Sequence, residues 1–419
     1  MLSIPLPVAR AALARPWYPP PLALNTFAPI GDSRTAIITF DTNRIQGAQQ
    51  QHLNQANMRH KFAFPITGVF ATSGFTTRQV RDTWLAPALA SRPAFLPIFG
   101  GVNDWTVTQD TSVTFENLTY MCEQARLRGV KPILFTDPGN TGMTTDQCIA
   151  YHGSGGLNDR LRAYATAKSI ILIDCVPTLL ATTNPVTWKN DPVSGASYSY
   201  DGTHLGVAGA IALGEVFATA VLPYVAVPTD PVTTGSFITN ADYATDTGGT
   251  VGTGNSGTLP SGWTGARITT TAATAFSLNT RGDGVKEIIA AVTATGAAGT
   301  LCGVQISQAV GPSIVAGGVY VAGFLIDIDA GFVSLADVYA QLDLNYTDAS
   351  FDQGYLARSS SGKDAIPSSG ALTLMCQTLP IKVSTTKTIS TANFRMAVRC
   401  WATGNVTMRA RKPYLLRVG

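Results

Sequence analysis

Ser33 closes the short block Gly31-Asp32-Ser33, which follows an apolar run over 24–30. That run reads as a strand, and a serine at the carboxyl end of a strand in an open α/β sheet lies where such folds place their ligands. A serine hydroxyl is a weak nucleophile until a base takes its proton and donors receive the oxyanion. A base is available in the block Asp201-Gly202-Thr203-His204. An imidazole titrates near neutrality, so His204 can take the Ser33 proton and hand it to a leaving alcohol. Asp201, three residues earlier, can reach the other ring nitrogen from the same turn and fix the tautomer. Two further blocks stand between these, Ser73-Gly74 and Gly101-Val102-Asn103-Asp104. Each has a bland reading by itself. Gly-Asp-Ser is common turn chemistry, and Asn103-Asp104 can cap a helix. Their order favours catalysis, because each falls at the end of an expected strand or just before the last helix.

Those blocks need a scaffold, and the hydrophobic pattern supplies one. Apolar stretches at 62–69, 94–100, 132–136 and 169–174 predict four more strands. Helices are expected at 76–86 with Pro87 as the stop, at 114–128 before Gly129, at 157–168 and at 206–221. Strands alternating with helices predict an α/β three-layer sandwich around a parallel five-stranded sheet. Beyond Tyr224 the composition shifts to Gly, Thr, Ser and Ala. Short candidate strands at 318–328, 371–379, 394–403 and 407–415 predict an all-β sandwich of jelly-roll type. The expected division is an extended arm over 1–23, an α/β domain over 24–227, a linker over 228–235 and a β-sandwich domain over 236–419.

The totals narrow the function classes. A chain of 419 residues implies two domains. Charged residues make up only 13%, the net charge is +3 and no Lys/Arg-rich patch occurs, which argues against nucleic acid. The six cysteines are widely spaced without a zinc pattern and read as free, buried thiols. His52, His60 and His152 have no metal spacing, so no metal is expected. The glycine-rich run 248–257 lacks the helix-opening Lys-Ser/Thr of a phosphate cradle, and no cofactor is expected. Prolines at 5, 7 and 16 break the amino-terminal apolar stretch, so no signal peptide is recognised. The uncharged region 288–326 is interrupted by glycines every few residues, as in short strands and turns, so no membrane span is expected.

Taken together, the four blocks resemble those of the SGNH (GDSL-type) hydrolases, a family of serine esterases and deacetylases. The resemblance covers roughly 24–225 and implies a flavodoxin-like fold. It implies Ser33, Asp201 and His204 as the catalytic residues. It also implies an oxyanion hole formed by the Ser33 and Gly74 backbone N–H groups and the Asn103 amide, with Gly68 a nearby alternative to Gly74. Arg34 stands where the family name has leucine, a position the family varies.

The substrate is less determined. Trp105, Trp188, Tyr198 and Tyr200 lie near the blocks and could wall a substrate site, with Trp105 and Tyr200 the chosen candidates; packing is the competing role for each. In the second half Trp263, Tyr320, Tyr346, Tyr355 and Trp401 could stack on pyranose rings, or could be core aromatics. The glycine-rich sandwich and low charge also resemble, in general terms, phage tail-associated deacetylases that act on bacterial surface glycans. The expectation is therefore an esterase that removes O-acetyl groups from a polysaccharide, at an extracellular or virion surface, with homo-oligomers allowed. Two rivals are a small-ester esterase or lipase with a structural C-terminal domain, and a glycan-binding surface protein with a vestigial hydrolase domain. If an imidazole is the base, ester hydrolysis falls as pH drops below about 6.5. A rate profile that stays flat down to about pH 4, well below the reference imidazole value, contradicts that assignment.

Overall fold

The computed structural model describes residues 25–36, 38–41, 44–48, 50–107, 110–226, 236–269, 272–297, 300–358, 365–367, 370–378 and 380–418. The expected arm over 1–23 and linker over 228–235 lie outside the described residues.

Five parallel strands form the sheet of the first unit: β1 (Ile30–Gly31), β2 (Phe70–Ala71), β3 (Phe95–Phe99), β4 (Lys131–Phe135) and β5 (Ile171–Ile173). Their order is β2-β1-β3-β4-β5, the flavodoxin-like arrangement. All five residues of β3 are buried, as expected of a strand covered on both faces. The order reverses at β1, so the crevice at its carboxyl end, where Ser33 begins a short helix (Ser33–Ala36), is the natural ligand position. At Gly31 a Cβ would come within 2.1 Å of the Phe99 carbonyl oxygen, so β1 and β3 approach this closely only with glycine there.

Three expectations are corrected. The second strand lies at Phe70–Ala71, not 62–69. Lys61 and Phe62 take left-handed φ values of 53° and 57°, and Pro65 has no N–H to give a ladder. The helix expected to stop at Pro87 runs from Thr77 to Ala90. Buried Leu85, Ala88 and Leu89 continue its packed face past the proline, and this outweighs one absent hydrogen bond. The two strands expected at 394–403 and 407–415 are parts of one strand, Ile389–Arg417. Its backbone turns through a left-handed Thr403 (φ 67°), where its ladder partner changes from Leu301 opposite Trp401 to Thr293 opposite Asn405.

That long strand organises the all-β unit. Its first half pairs with Leu301–Ala309 and Val333–Tyr346, and its second half with Lys286–Ala294 and Val319–Ile328. Between the two ladders lies a core that includes Val304, Phe394 and Val398 from one and Ile288, Phe324 and Ile326 from the other. Sequence reading assigned nothing to the strands Ile38–Asp41 and Arg44–Ala48, just after the Ser33 helix. They form an antiparallel pair, and the second of them pairs in parallel with Phe351–Arg358 of the all-β unit. Val321, Leu325, Met375 and Tyr414 of the all-β unit also join the core of the first unit. We propose that the boundary between the two units lies at 228–235.

The helix Val207–Val221 packs against the helix His52–Arg59, and a Cβ at Gly214 would come within 2.8 Å of the His52 carbonyl oxygen. The stretch Val207–Tyr224 is long and apolar enough to cross a membrane, with a mean hydropathy of 1.6. Here it is a core helix, since half of it is buried against the rest of the chain.

His52 sits among the rings of Phe99, Phe135 and Phe217, at centroid distances of 5.7, 5.2 and 6.2 Å. Neither ring nitrogen has a hydrogen-bond partner among the described residues. Burial, with the Arg34 charge adding to it, lowers its pKa to about 3. The folded protein holds this ring neutral, whereas in the unfolded chain it takes a proton below about pH 6.5. Stability should therefore fall as pH drops from about 6.5 towards 3, with His52 contributing up to one proton, about 1.4 kcal/mol per pH unit. Urea unfolding across that range checks it: His52→Phe should flatten the slope, and an unchanged slope contradicts the assignment.

Candidate active site

The structure brings Ser33, His204 and Asp201 together from segments 171 residues apart. The Ser33 Oγ lies 2.8 Å from His204 Nε2, and His204 Nδ1 lies 2.6 Å from Asp201 Oδ2. The other Asp201 oxygen accepts the backbone N–H groups of Thr203 (2.9 Å) and His204 (2.8 Å). Partial burial raises the Asp201 pKa, but these hydrogen bonds outweigh it and leave the pKa below the ordinary carboxylate value. An ionised Asp201 draws the ring proton to Nδ1, which leaves Nε2 as the acceptor facing the serine hydroxyl.

The loop carrying Asp201 and His204 is pinned from several sides. The Ser199 hydroxyl donates to the His204 carbonyl (2.6 Å) and accepts the Gly202 N–H (2.9 Å). The Gly202 carbonyl accepts the Trp188 indole N–H (3.0 Å) and the Thr141 N–H (3.1 Å). The Asn140 amide donates to the Thr203 hydroxyl. Trp188 thus fastens the loop.

Beside Ser33, Arg34 is buried between two carboxylates. Its Nε and Nη2 donate to Asp32 (3.1 and 2.8 Å), and its Nη1 and Nη2 donate to Asp137 (3.0 and 3.1 Å). All three side chains have no exposed surface. The guanidinium also lies 4.3 Å from the centre of the Phe99 ring. Burial opposes its charge, but Asp137 and Asp32 outweigh that and hold its pKa above the ordinary arginine value. Neither the fully buried Arg34 nor its tie to Asp137 was foreseen. The polar turn Asp137-Pro138-Gly139-Asn140 at the end of an apolar run was the available signal.

Asn103 donates an amide hydrogen to the Phe75 carbonyl (3.0 Å). Asp104 accepts the Thr77 backbone N–H (2.8 Å) and the hydroxyls of Thr77 (2.5 Å) and Thr114 (3.1 Å). Burial raises its pKa despite those bonds. Asp104 therefore ties its block to the start of the Thr77–Ala90 helix, next to Ser73-Gly74. Gly74 follows β2, on the carboxyl side of the sheet as Ser33 does, while Gly68 precedes that strand. Gly74 has φ +81° and no atom within 4 Å of where a Cβ would stand.

The remaining aromatic candidates divide. Tyr200 is 57% exposed, and its ring lies parallel to His204 at 5.7 Å. Trp105 and Tyr198 pack, partly buried, against the first core. Trp263, Tyr320 and Tyr346 are buried in the second core and cannot stack on a sugar. Trp401 is partly buried, and the Tyr355 side chain lies outside the described residues.

An open parallel sheet with a serine, a histidine and a carboxylate linked at its carboxyl edge defines an α/β domain of hydrolase type. Residues 30–210 match the model of the GDSL-like Lipase/Acylhydrolase family, a family of hydrolases that act on esters, and this part of the chain is similar to that domain. No curated protein matches the chain. Among solved structures, a GDSL-like lipase from Bacteroides thetaiotaomicron is 20% identical with a TM-score of 0.35, over 48% of this chain and 88% of that one. A member of the lipolytic G-D-S-L family from Veillonella parvula is 14% identical with a TM-score of 0.32, over 47% of this chain and 96% of that one. The enzymatically active domain of tailspike protein 4 from bacteriophage CBA120 is 10% identical with a TM-score of 0.30, over 45% of this chain and 22% of that one.

Replacing Arg34 by leucine leaves Asp32 and Asp137 buried without their shared cation, and breaking a buried pair typically costs about 3–5 kcal/mol. Arg34→Leu should lose stability on that scale in urea unfolding. A loss well under about 1 kcal/mol, the range of exposed pairs, would mean the carboxylates are not held as described.

Proposed function

We propose that the protein is a serine esterase that removes O-acetyl groups from a polysaccharide through an acyl-enzyme. The observation that carries this is the linked Ser33–His204–Asp201 geometry, 2.8 and 2.6 Å, at the carboxyl edge of the sheet. Ser33 Oγ bonds to the ester carbonyl carbon while His204 Nε2 takes its proton. The tetrahedral oxyanion is received by the Ser33 and Gly74 backbone N–H groups and the Asn103 amide. The carbon–alkoxide bond then breaks, and His204 gives its proton to the departing sugar hydroxyl. Water, deprotonated by His204, attacks the acyl carbon, and acetate leaves with Ser33 restored. Asp201 holds the ring and its charge throughout. Tyr200 is the exposed aromatic face beside the base, a platform for the ring of the sugar that carries the ester.

The polysaccharide assignment is supported by the large all-β unit seated on the hydrolase domain and by the sparsely charged surface. A second reading, hydrolysis of small acyl esters with the all-β unit purely structural, is favoured by the burial of Trp263, Tyr320 and Tyr346. Because the two units share buried side chains, the full-length chain is the form to assay. Free acetate from a panel of acetylated polysaccharides, set beside hydrolysis of p-nitrophenyl esters, separates the two readings. Acetate release abolished by Ser33→Ala supports the first. Turnover of p-nitrophenyl esters alone supports the second, and acetate release that survives Ser33→Ala contradicts the mechanism.

A further inference from the structure

Resting on the esterase reading above, we propose that Arg34 is a positioning residue that sets the Ser33–His204 distance by clamping the nucleophile's loop to the loop that steadies the base. The two halves of the active site arrive on different parts of the chain, and the single hydrogen bond between them is worth about 1 kcal/mol. That is too little to hold two loops in register, so another contact must do it.

The clamp can be followed residue by residue. Asp32 precedes Ser33 at the end of β1, and Asp137 opens the loop after β4. These strands are not neighbours, since β3 lies between them. The Arg34 guanidinium crosses the carboxyl end of β3 over the Phe99 ring and bonds a carboxylate on each side. Gly101 makes room for the crossing, because a Cβ there would come within 2.5 Å of an Asp137 oxygen. Asp137 is itself fixed, exchanging two backbone hydrogen bonds with the Asn158 side chain (both 2.8 Å) and accepting the Gly139 N–H (2.7 Å). The same loop then reaches the base's loop through Asn140, bonded to Thr203, and Thr141, bonded to Gly202. A planar fork that grips two carboxylates at once is a geometry lysine cannot reproduce.

The test uses the full-length chain, with Arg34→Lys, Asn140→Ala and the double variant. Three quantities are read: the rate of fluorophosphonate labelling at Ser33, kcat and KM for p-nitrophenyl acetate, and the melting temperature. A misplacement of about 1 Å costs on the order of 10²-fold, so each single variant should slow labelling and kcat by about tenfold or more while KM stays within about twofold. Because both act along one path, the double variant should be no slower than the slower single. Asn140→Ala leaves the ion group intact and decides the matter if Arg34→Lys does not fold. Labelling of either folded single variant at the wild-type rate, or losses that multiply in the double variant, overturn the clamp. A wild-type protein that is not labelled at Ser33 overturns the esterase reading instead, and the clamp's role with it.

Discussion

One guanidinium shared by two carboxylates, all three out of water, is the constraint on which the site depends. Removing ions from water costs several kcal/mol each, and such a group persists only where geometry and further hydrogen bonds return that cost. Here each carboxylate receives two N–H groups from the Arg34 guanidinium and one backbone N–H besides, that of Arg34 at Asp32 and that of Gly139 at Asp137. Neither carboxylate can shift without uncovering buried charge. The loops after β1 and β4 are thereby fixed relative to each other across the intervening strand, and the loop bearing His204 rests on the second of them.

The rest of the fold serves the same crevice. Gly31 lets β1 lie against β3, so that the serine leaves the sheet at the point where strand order reverses. Asp104 draws the Asn103 block onto the start of the Thr77–Ala90 helix, which puts two expected oxyanion donors on one hydrogen-bonded unit. The all-β unit is more than an appendage. Its side chains enter the first core, and a strand pair that begins just after the Ser33 helix extends its sheet.

Much of this was legible in the sequence for local reasons. The strand at Phe95–Phe99 and the helix at Leu157–Lys168 follow from apolar runs and periodicity, and the first and last blocks held the residues, Ser33, Asp201 and His204, that hydrogen-bond to one another. What was missed depends on distant partners. The strand Arg44–Ala48 is a strand because Phe351–Arg358, from the far end of the chain, pairs with it. The helix His52–Arg59 carries five polar residues in eight and yet is buried, so its composition gives no clear apolar face. Arg34 looked like a tolerated variation because its second carboxylate lies 103 residues away. The aromatic residues offered as sugar platforms turned inward at Trp263, Tyr320 and Tyr346, since aromatic type alone does not tell a sandwich's inner face from its outer one.

The central claim is that an acyl group passes through Ser33. The direct measurement is rapid quenching of the full-length protein with an acetylated polysaccharide as the sole acyl source, followed by mass analysis of the peptide that carries Ser33. The account predicts an acetyl adduct on that peptide, absent when His204 is replaced by alanine. Acetate released in solution with no adduct ever forming on Ser33 would contradict it.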